Sequence, residues 1–194
     1  MTPRPWRVID RRRETADSWT LELEPADGGP PISYLPGQFN MIYAFGIGEV
    51  PSAISGDPGG GGPLVHTVRD VGAVSAAICR ARPGDQLGVR GPYGSAWPVT
   101  DVGGRHLLIV AGGGGLAPLR PALRDALARR DELARLTLLV GGRTPADLLF
   151  RDELEELHAD RRLEVAVTVD SALGGWRGHV GVVTTLLADL DFDP

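Results

Sequence analysis

The period of the apolar residues changes near Gly103, and this change limits the available folds more tightly than anything else in the chain. From Trp6 to about Pro98 the text consists of short strands and turns. Ser18–Pro25, "SWTLELEP", alternates apolar and polar residues as a half-buried strand does. Tyr34–Gly46 is a Pro36-Gly37 turn leading into an apolar strand, and Pro63–Gly72 and Asp85–Gly94 repeat the theme. Strands this short, punctuated by Gly and Pro, predict a small antiparallel barrel. One short helix is expected over Ser75–Arg80, and "GDPGGGGP", Gly56–Pro63, reads as a flexible hairpin loop.

Beyond Gly103 strands and helices alternate. Arg105–Ala111, Arg135–Gly142 and Leu163–Asp170 read as buried strands, with helices expected at Pro118–Arg130, Phe150–His158 and Val180–Leu190. Alternation of this kind implies right-handed crossovers and a parallel sheet. The expected division is residues 1–101 for the first unit and 102–194 for the second.

Between the first of these strands and its helix stand four glycines, Gly112, Gly113, Gly114 and Gly115, then Leu116, Ala117 and Pro118. Glycine weakens a helix, so such a run needs a reason. At a strand-to-helix turn the helix start offers unpaired N–H groups and a positive dipole end, and a missing side chain leaves room for a phosphate. The pattern from Gly113 is G-x-G-x-x-P rather than G-x-G-x-x-G. Pro118 suits the first helical turn, where its absent N–H costs no bond. By itself the run is equally compatible with a tight turn that holds no ligand.

Composition removes other classes. The net charge is −5 over 194 residues, and Arg11, Arg12 and Arg13 form the only basic triplet, read as a solvated strand end. Nothing here suggests a nucleic-acid surface. Every basic residue is arginine, in keeping with GC-rich coding. A single cysteine, Cys79, allows no internal disulfide and no zinc or iron–sulfur site within the chain, and reads as a small buried hydrophobe. The first ten residues carry no apolar stretch of signal length and no segment approaches a membrane span, so the expectation is a soluble, cytoplasmic protein.

The order of motifs carries a resemblance that no single motif would. "GGGGLAP" resembles the pyridine-nucleotide loop of the ferredoxin–NADP reductase superfamily, in which a flavin-binding barrel precedes the nucleotide domain. "LPGQFNMI" (Leu35–Ile42) resembles the strand leading to the flavin, and "VGAVS" (Val71–Ser75) the G-x-x-S turn beside the flavin pyrophosphate. "RPGDQLGVRGPYG" (Arg82–Gly94) resembles the closing barrel strand, while Gly141–Leu157 and Val169–Gly181 are similar to later nucleotide-domain units. The likeness is closest to the gamma, or diaphorase, subunits of cytoplasmic nickel–iron hydrogenases. The electron-transfer subunit of dihydroorotate dehydrogenase and the second subunit of anaerobic sulfite reductase are similar too.

This resemblance implies FAD and NAD(P)H as cofactors, with NADH favoured, and a partner redox subunit, with no nucleic acid and no membrane involved. FAD would touch Pro51, Ser52, Ala53 and Ile54, then Thr67, Val68 and Arg69, then Gly72, Val74 and Ser75. The nucleotide would lie on Gly112–Pro118, with Arg143 and Asp170 nearby. A carboxylate at Asp170 repels a 2′-phosphate and can accept a ribose hydroxyl, whereas Arg143 argues for NADPH. Hydride transfer needs no protein acid or base, so no catalytic residue is expected. Trp176 is expected to anchor a loop, and His66 to be a packed histidine.

Two departures from the family stand out. Its flavin motif R-x-[YF]-[ST] falls here on "VPSAIS", so Val50, Ser52 and Ala53 replace the arginine, the aromatic and the hydroxyl residue. The Ala53 N–H could serve flavin N5, and Arg69 could supply the charge. The family's fourth strand, with its C-G-P-x-x-M stretch, would follow the third helix, where the text reads "DLDFDP". An incomplete nucleotide domain with weak activity is therefore expected. Two functions stay open: an electron-transfer flavoprotein module linking NAD(P)H to a partner through FAD, and a non-catalytic, cofactor-poor assembly subunit. A methyltransferase-like reading leaves the barrel half unexplained.

Overall fold

A computed structural model describes residues 2–59, 61–188 and 190. Six strands form one antiparallel sheet: β1 (Arg4–Arg13), β2 (Ser18–Pro25), β3 (Phe39–Ala44), β4 (Gly48–Ala53), β5 (Leu64–Arg69) and β6 (Gln86–Tyr93). Their spatial order is β4-β3-β6-β1-β2-β5, so β4 and β5 are the two edges. The edges meet at one bridge, Ile54 with His66, beside which the Ser55 N–H donates to Val65 O at 2.9 Å. The Gly56–Pro63 stretch thus lies between the end of β4 and the start of β5, which pair antiparallel only at this bridge. Helix α1 (Ala73–Arg80) packs against β3, β4 and β5.

The strands form because one face of each can be buried. Trp6 and Val8 of β1 alternate with exposed Pro5, Arg7 and Ile9, and Leu21 and Leu23 of β2 lie beside them, all four core side chains fully buried. Ile42, Ile54 and Ile78 complete that core. Each such side chain contributes roughly 1.5–3 kcal/mol by leaving water. In the arginine triplet Arg12 and Arg13 are exposed as expected, and Arg11 is half-buried. Arg11 donates to Cys79 O at 2.6 Å with its guanidinium 3.5 Å from the Trp19 ring centre, and Arg13 donates to Thr15 O.

The second sheet is parallel, in the order β10-β9-β8-β7, with β7 (His106–Gly112), β8 (Arg135–Gly142), β9 (Glu164–Val169) and β10 (His179–Val180). Helices α2 (Leu116–Ala128) and α3 (Arg151–Ala159) cover one face, where Ile109, Leu136, Leu138 and Val140 meet Leu123 and Leu154.

The expected helix at Val180–Leu190 does not form over the described residues. Val180 pairs with Val169 in β10, and a short 3-10 turn follows over Val183–Leu187. The β-branched run Val180, Val182, Val183 favours this outcome. So does Gly181, whose φ of +137° breaks a helix, and whose carbonyl accepts from Thr168 at 2.7 Å. Residues 189 and 191–194 of the "DLDFDP" stretch lie outside the described residues. No helix of the described residues is long and apolar enough to cross a membrane.

Candidate functional site

The glycine run stands at the carboxyl end of β7. Gly113–Gly115 form a 3-10 turn that passes directly into α2, so the helical start lies one turn earlier than the leucine spacing indicates. Only Gly113 needs to be glycine for its backbone, with φ +53°. A Cβ built on Gly114 or Gly115 meets nothing within 4 Å, and one on Gly112 meets only Val183, at 4.0 Å. Packing among the described residues therefore does not explain the absent side chains at these three positions. They leave open space over a helix start whose first N–H groups lack intrahelical partners.

The neighbouring strand end has a different reason for its glycines. A Cβ on Gly141 would lie 2.7 Å from Val183 Cβ, and one on Gly142 would lie 2.9 Å from Leu148 Cδ2. These two are glycine because other residues press on them. In register, Gly112 faces Gly141 and Gly142 faces Val169. Arg143 and Asp170 follow side by side: Asp170 N–H donates to Gly142 O, and Ser171 N–H to Arg143 O, both at 2.9 Å. Arg143 is ion-paired to Asp147 at 2.9 Å. Asp147 sits below the usual carboxylate range, held there first by the Thr144 hydroxyl and then by Arg143. The structure therefore brings Gly112–Pro118, Arg143 and Asp170 to the carboxyl ends of the parallel strands, with the arginine's charge already partly answered.

The barrel-half residues gather on the two edge strands and α1. Strand β4 pairs with β3 alone in the ladder, and Ile54 N–H donates to Gln38 O at 3.1 Å. Hydrogen bonding alternates along an antiparallel ladder, so the main-chain groups of Glu49, Pro51 and Ala53 point away from β3. Pro51 occupies an outward position and forfeits no ladder bond. This proline also hides the strand from an alternation search. The Ala53 N–H is turned outward, and its carbonyl accepts from His66 Nδ1 at 2.9 Å.

His66 is fully buried and contacts Asn40 Nδ2 through Nε2 at 3.1 Å. A carbonyl accepts only, so Nδ1 carries the proton and Nε2 accepts from Asn40. Burial pushes the imidazole down to about 4, keeping it neutral. It is a packed residue that supports the Ser52–Ile54 backbone from inside. Thr67 shares its hydroxyl with Ser55 and Thr20, each at 2.9 Å. Val68 is buried and its carbonyl takes the Cys79 thiol at 3.4 Å, with burial raising that thiol to about 11.

At the start of α1, Ser75 Oγ accepts from the N–H groups of Val71 and Gly72 at 3.0 Å each and donates to Gly72 O at 3.1 Å. Its hydroxyl shapes the turn from within, and a Cβ at Gly72 would meet nothing. Val74 packs against Gly48. Arg69 is bound to Asp17 at 2.7 Å. The side chains expected to serve a flavin are thus already engaged, and what faces outward here is backbone.

Trp176 anchors its loop, donating from Nε1 to His179 O at 2.9 Å and packing on the second core. It also lines an apolar cavity of about 470 Å³ between α3 and β9, away from the strand ends that carry the glycines. Sequence reasoning missed Arg120, on α2, which donates to Ser55 O across to the first sheet and to Glu153 on α3, both at 2.6 Å. Helical spacing marks it as an ordinary amphipathic arginine, and only the approach of the two sheets reveals its partner.

Comparison with known proteins agrees with this architecture. Residues 109–193 match the oxidoreductase NAD-binding domain family. The chain is 35% identical over 183 residues to sulfhydrogenase 1 subunit gamma of Pyrococcus furiosus, covering 93% of this chain and 63% of that protein. Sulfhydrogenase 2 subunit gamma of the same organism is 33% identical over 201 residues, covering 96% and 69%. The probable electron-transfer subunit of dihydroorotate dehydrogenase B from Methanopyrus kandleri is 34% identical, covering 97% and 65%. The chain thus spans about two thirds of the length of these relatives. Among solved structures, the ferredoxin reductase in carbazole 1,9a-dioxygenase superposes with a TM-score of 0.78 at 24% identity, covering 96% of this chain and 56% of that one.

Proposed function

The chain belongs to the ferredoxin–NADP reductase superfamily, and from that premise we propose that it is an electron-transfer module carrying electrons between NADH and a partner redox subunit through FAD. On this reading residues 1–101 form a barrel that holds the flavin and residues 102–194 hold the nucleotide. The observation that carries it is the open space over Gly112, Gly114 and Gly115 at the head of α2. Doubly wound sheets take ligands at this place, outside the carboxyl ends of their strands.

The residues fit a dinucleotide in detail. The glycine turn receives the pyrophosphate on backbone N–H groups. Asp170 accepts a ribose hydroxyl and repels a 2′-phosphate, while Arg143 is held by Asp147. The FAD fit is a backbone fit. The outward Ala53 N–H serves the ring, the α1 start serves the pyrophosphate, and Ser75 holds that turn in shape. A bound flavin would supply hydride acceptance and onward electron transfer, and the role of these residues would be to hold and align it with the nicotinamide. The relatives named above, subunits of a sulfhydrogenase and of a dihydroorotate dehydrogenase, support a partner of that kind.

A titration of the FAD-supplemented chain with NADH and NADPH tests the proposal. Tighter binding of NADH is expected, and a preference for NADPH would overturn the assignment of Asp170. The engaged Arg69 and Ser75 favour a second reading, a cofactor-poor assembly subunit. FAD supplementation followed by desalting separates the two: a sample left colourless rules out the flavoprotein.

A further inference from the structure

We infer that Arg120 is the positioning residue that sets the nucleotide loop against the flavin strand, an inference that rests on the function proposed above. Three kinds of contact converge on this one side chain, which is 12% exposed. Its NH1 donates to Ser55 O at 2.6 Å, two residues beyond the outward-facing Ala53. Its Nε donates to Glu153 Oε2 at 2.6 Å on α3. Its guanidinium carbon lies 4.7 Å from the Phe150 ring centre.

Ser55 is itself immobilised. It is fully buried, its N–H is held by Val65 O, and its hydroxyl joins Thr67. Pulling on its carbonyl therefore pulls on β4 and β5 together. On the other side, Arg120 belongs to the helix that the glycine run begins. Leu116 and Arg120 are about 6 Å apart along the axis of the same helix, so holding Arg120 restrains the loop. Glu153 also takes Arg124 at 2.7 Å, tying α2 to α3.

A second contact crosses the same boundary. The Phe150 N–H donates to Glu14 Oε2 at 3.2 Å, from a residue in the left-handed region with φ +54°. A bulky residue holds that conformation only where its surroundings compel it. Here Arg120 covers its ring and Glu14 binds its N–H. Arg120, Phe150, Glu153 and Glu14 together form a clamp between the two sheets. Hydride transfer depends steeply on donor–acceptor geometry, and a displacement of about 1 Å can cost about 100-fold. A residue that sets the inter-sheet angle controls the rate without touching either cofactor.

The test uses Arg120→Met, which keeps the aliphatic stem, and Arg120→Lys, which keeps the charge. Titrations of FAD and of NADH should each change less than about two-fold, because each ligand contacts one side only. Single-turnover reduction of bound FAD at saturating NADH, followed by loss of flavin absorbance, should slow by about ten-fold or more in Arg120→Met. Arg120→Lys should recover part of the rate. Hydrogen exchange on the cofactor-free chain supplies an independent readout. Peptides spanning 53–57 and 148–153 should lose protection together, while those of β8 and β9 stay protected.

Unchanged exchange at both segments, or loss of rate matched by loss of either affinity, would overturn the inference. If Arg120→Met does not fold, Arg120→Lys carries the same measurements, with the same two results deciding. A native chain that takes up no FAD sinks the flavoprotein proposal, while joint loss of exchange protection still decides whether the clamp exists.

Discussion

Gly114 and Ser75 show how single residues separate binding from stability. Gly114 has no steric neighbour among the described residues to excuse its missing side chain, and alanine is the better helix former. Gly114→Ala should leave the melting temperature unchanged or slightly higher. The same change should weaken NADH binding by about ten-fold by occupying the pyrophosphate's space. Unaltered affinity in a nucleotide titration would show that nothing binds there. Ser75 behaves in the opposite way. Its Oγ is the acceptor for two N–H groups, so Ser75→Ala should cost about 1–3 kcal/mol even without FAD, read from urea midpoints. Asp170→Ala should narrow the gap between NADH and NADPH affinities, since it removes the charge that repels a 2′-phosphate.

Among the elements, strands of regular period were legible and those bent by a local demand were not. Arg135–Gly142 appears over the expected residues because β8 is buried on both faces and reads as an apolar run. Strand β4 was hidden because Pro51 breaks its alternation, although a proline facing outward from an edge suits a strand. The end of the second sheet reads as helix because Val183, Leu186, Leu187 and Leu190 fall at helical spacing, while pairing of His179 and Val180 with β9 decides the backbone. For the site, the glycine run could be found from its place between strand and helix. Arg120 and the His66–Asn40 pair could not, because their partners are distant in sequence. The contact of Gly141 with Val183 yields an element-scale prediction. Gly141→Ala should displace the Val183–Leu187 turn and destabilise the second sheet by about 1–3 kcal/mol, measured as a lower thermal midpoint.

The whole molecule inherits an acid sensitivity from His66. Its ordinary value of 6.5 falls to about 4 in the fold, chiefly through burial. The unfolded chain therefore binds a proton that the folded chain refuses. Stability from this group is fully present above about pH 6.5 and declines as the pH falls toward about 4, where it levels off. The total loss is on the order of 3 kcal/mol. Urea midpoints between pH 7 and pH 5 should show that slope in the native chain, and His66→Gln should flatten it. An equal slope in both would place the sensitivity elsewhere. Pro51 has a consequence between molecules rather than within one. An edge strand invites a second chain to add its own strand, main-chain donor to acceptor. β4 presents a proline at the middle of its outward row, so a foreign strand laid along it would find a gap where a donor should be. If this edge takes a cofactor, as proposed above, it is open to that ligand and yet closed to neighbours, and crowding should not drive copies together through it. Pro51→Val should restore the missing donor and raise light scattering in concentrated, cofactor-free samples.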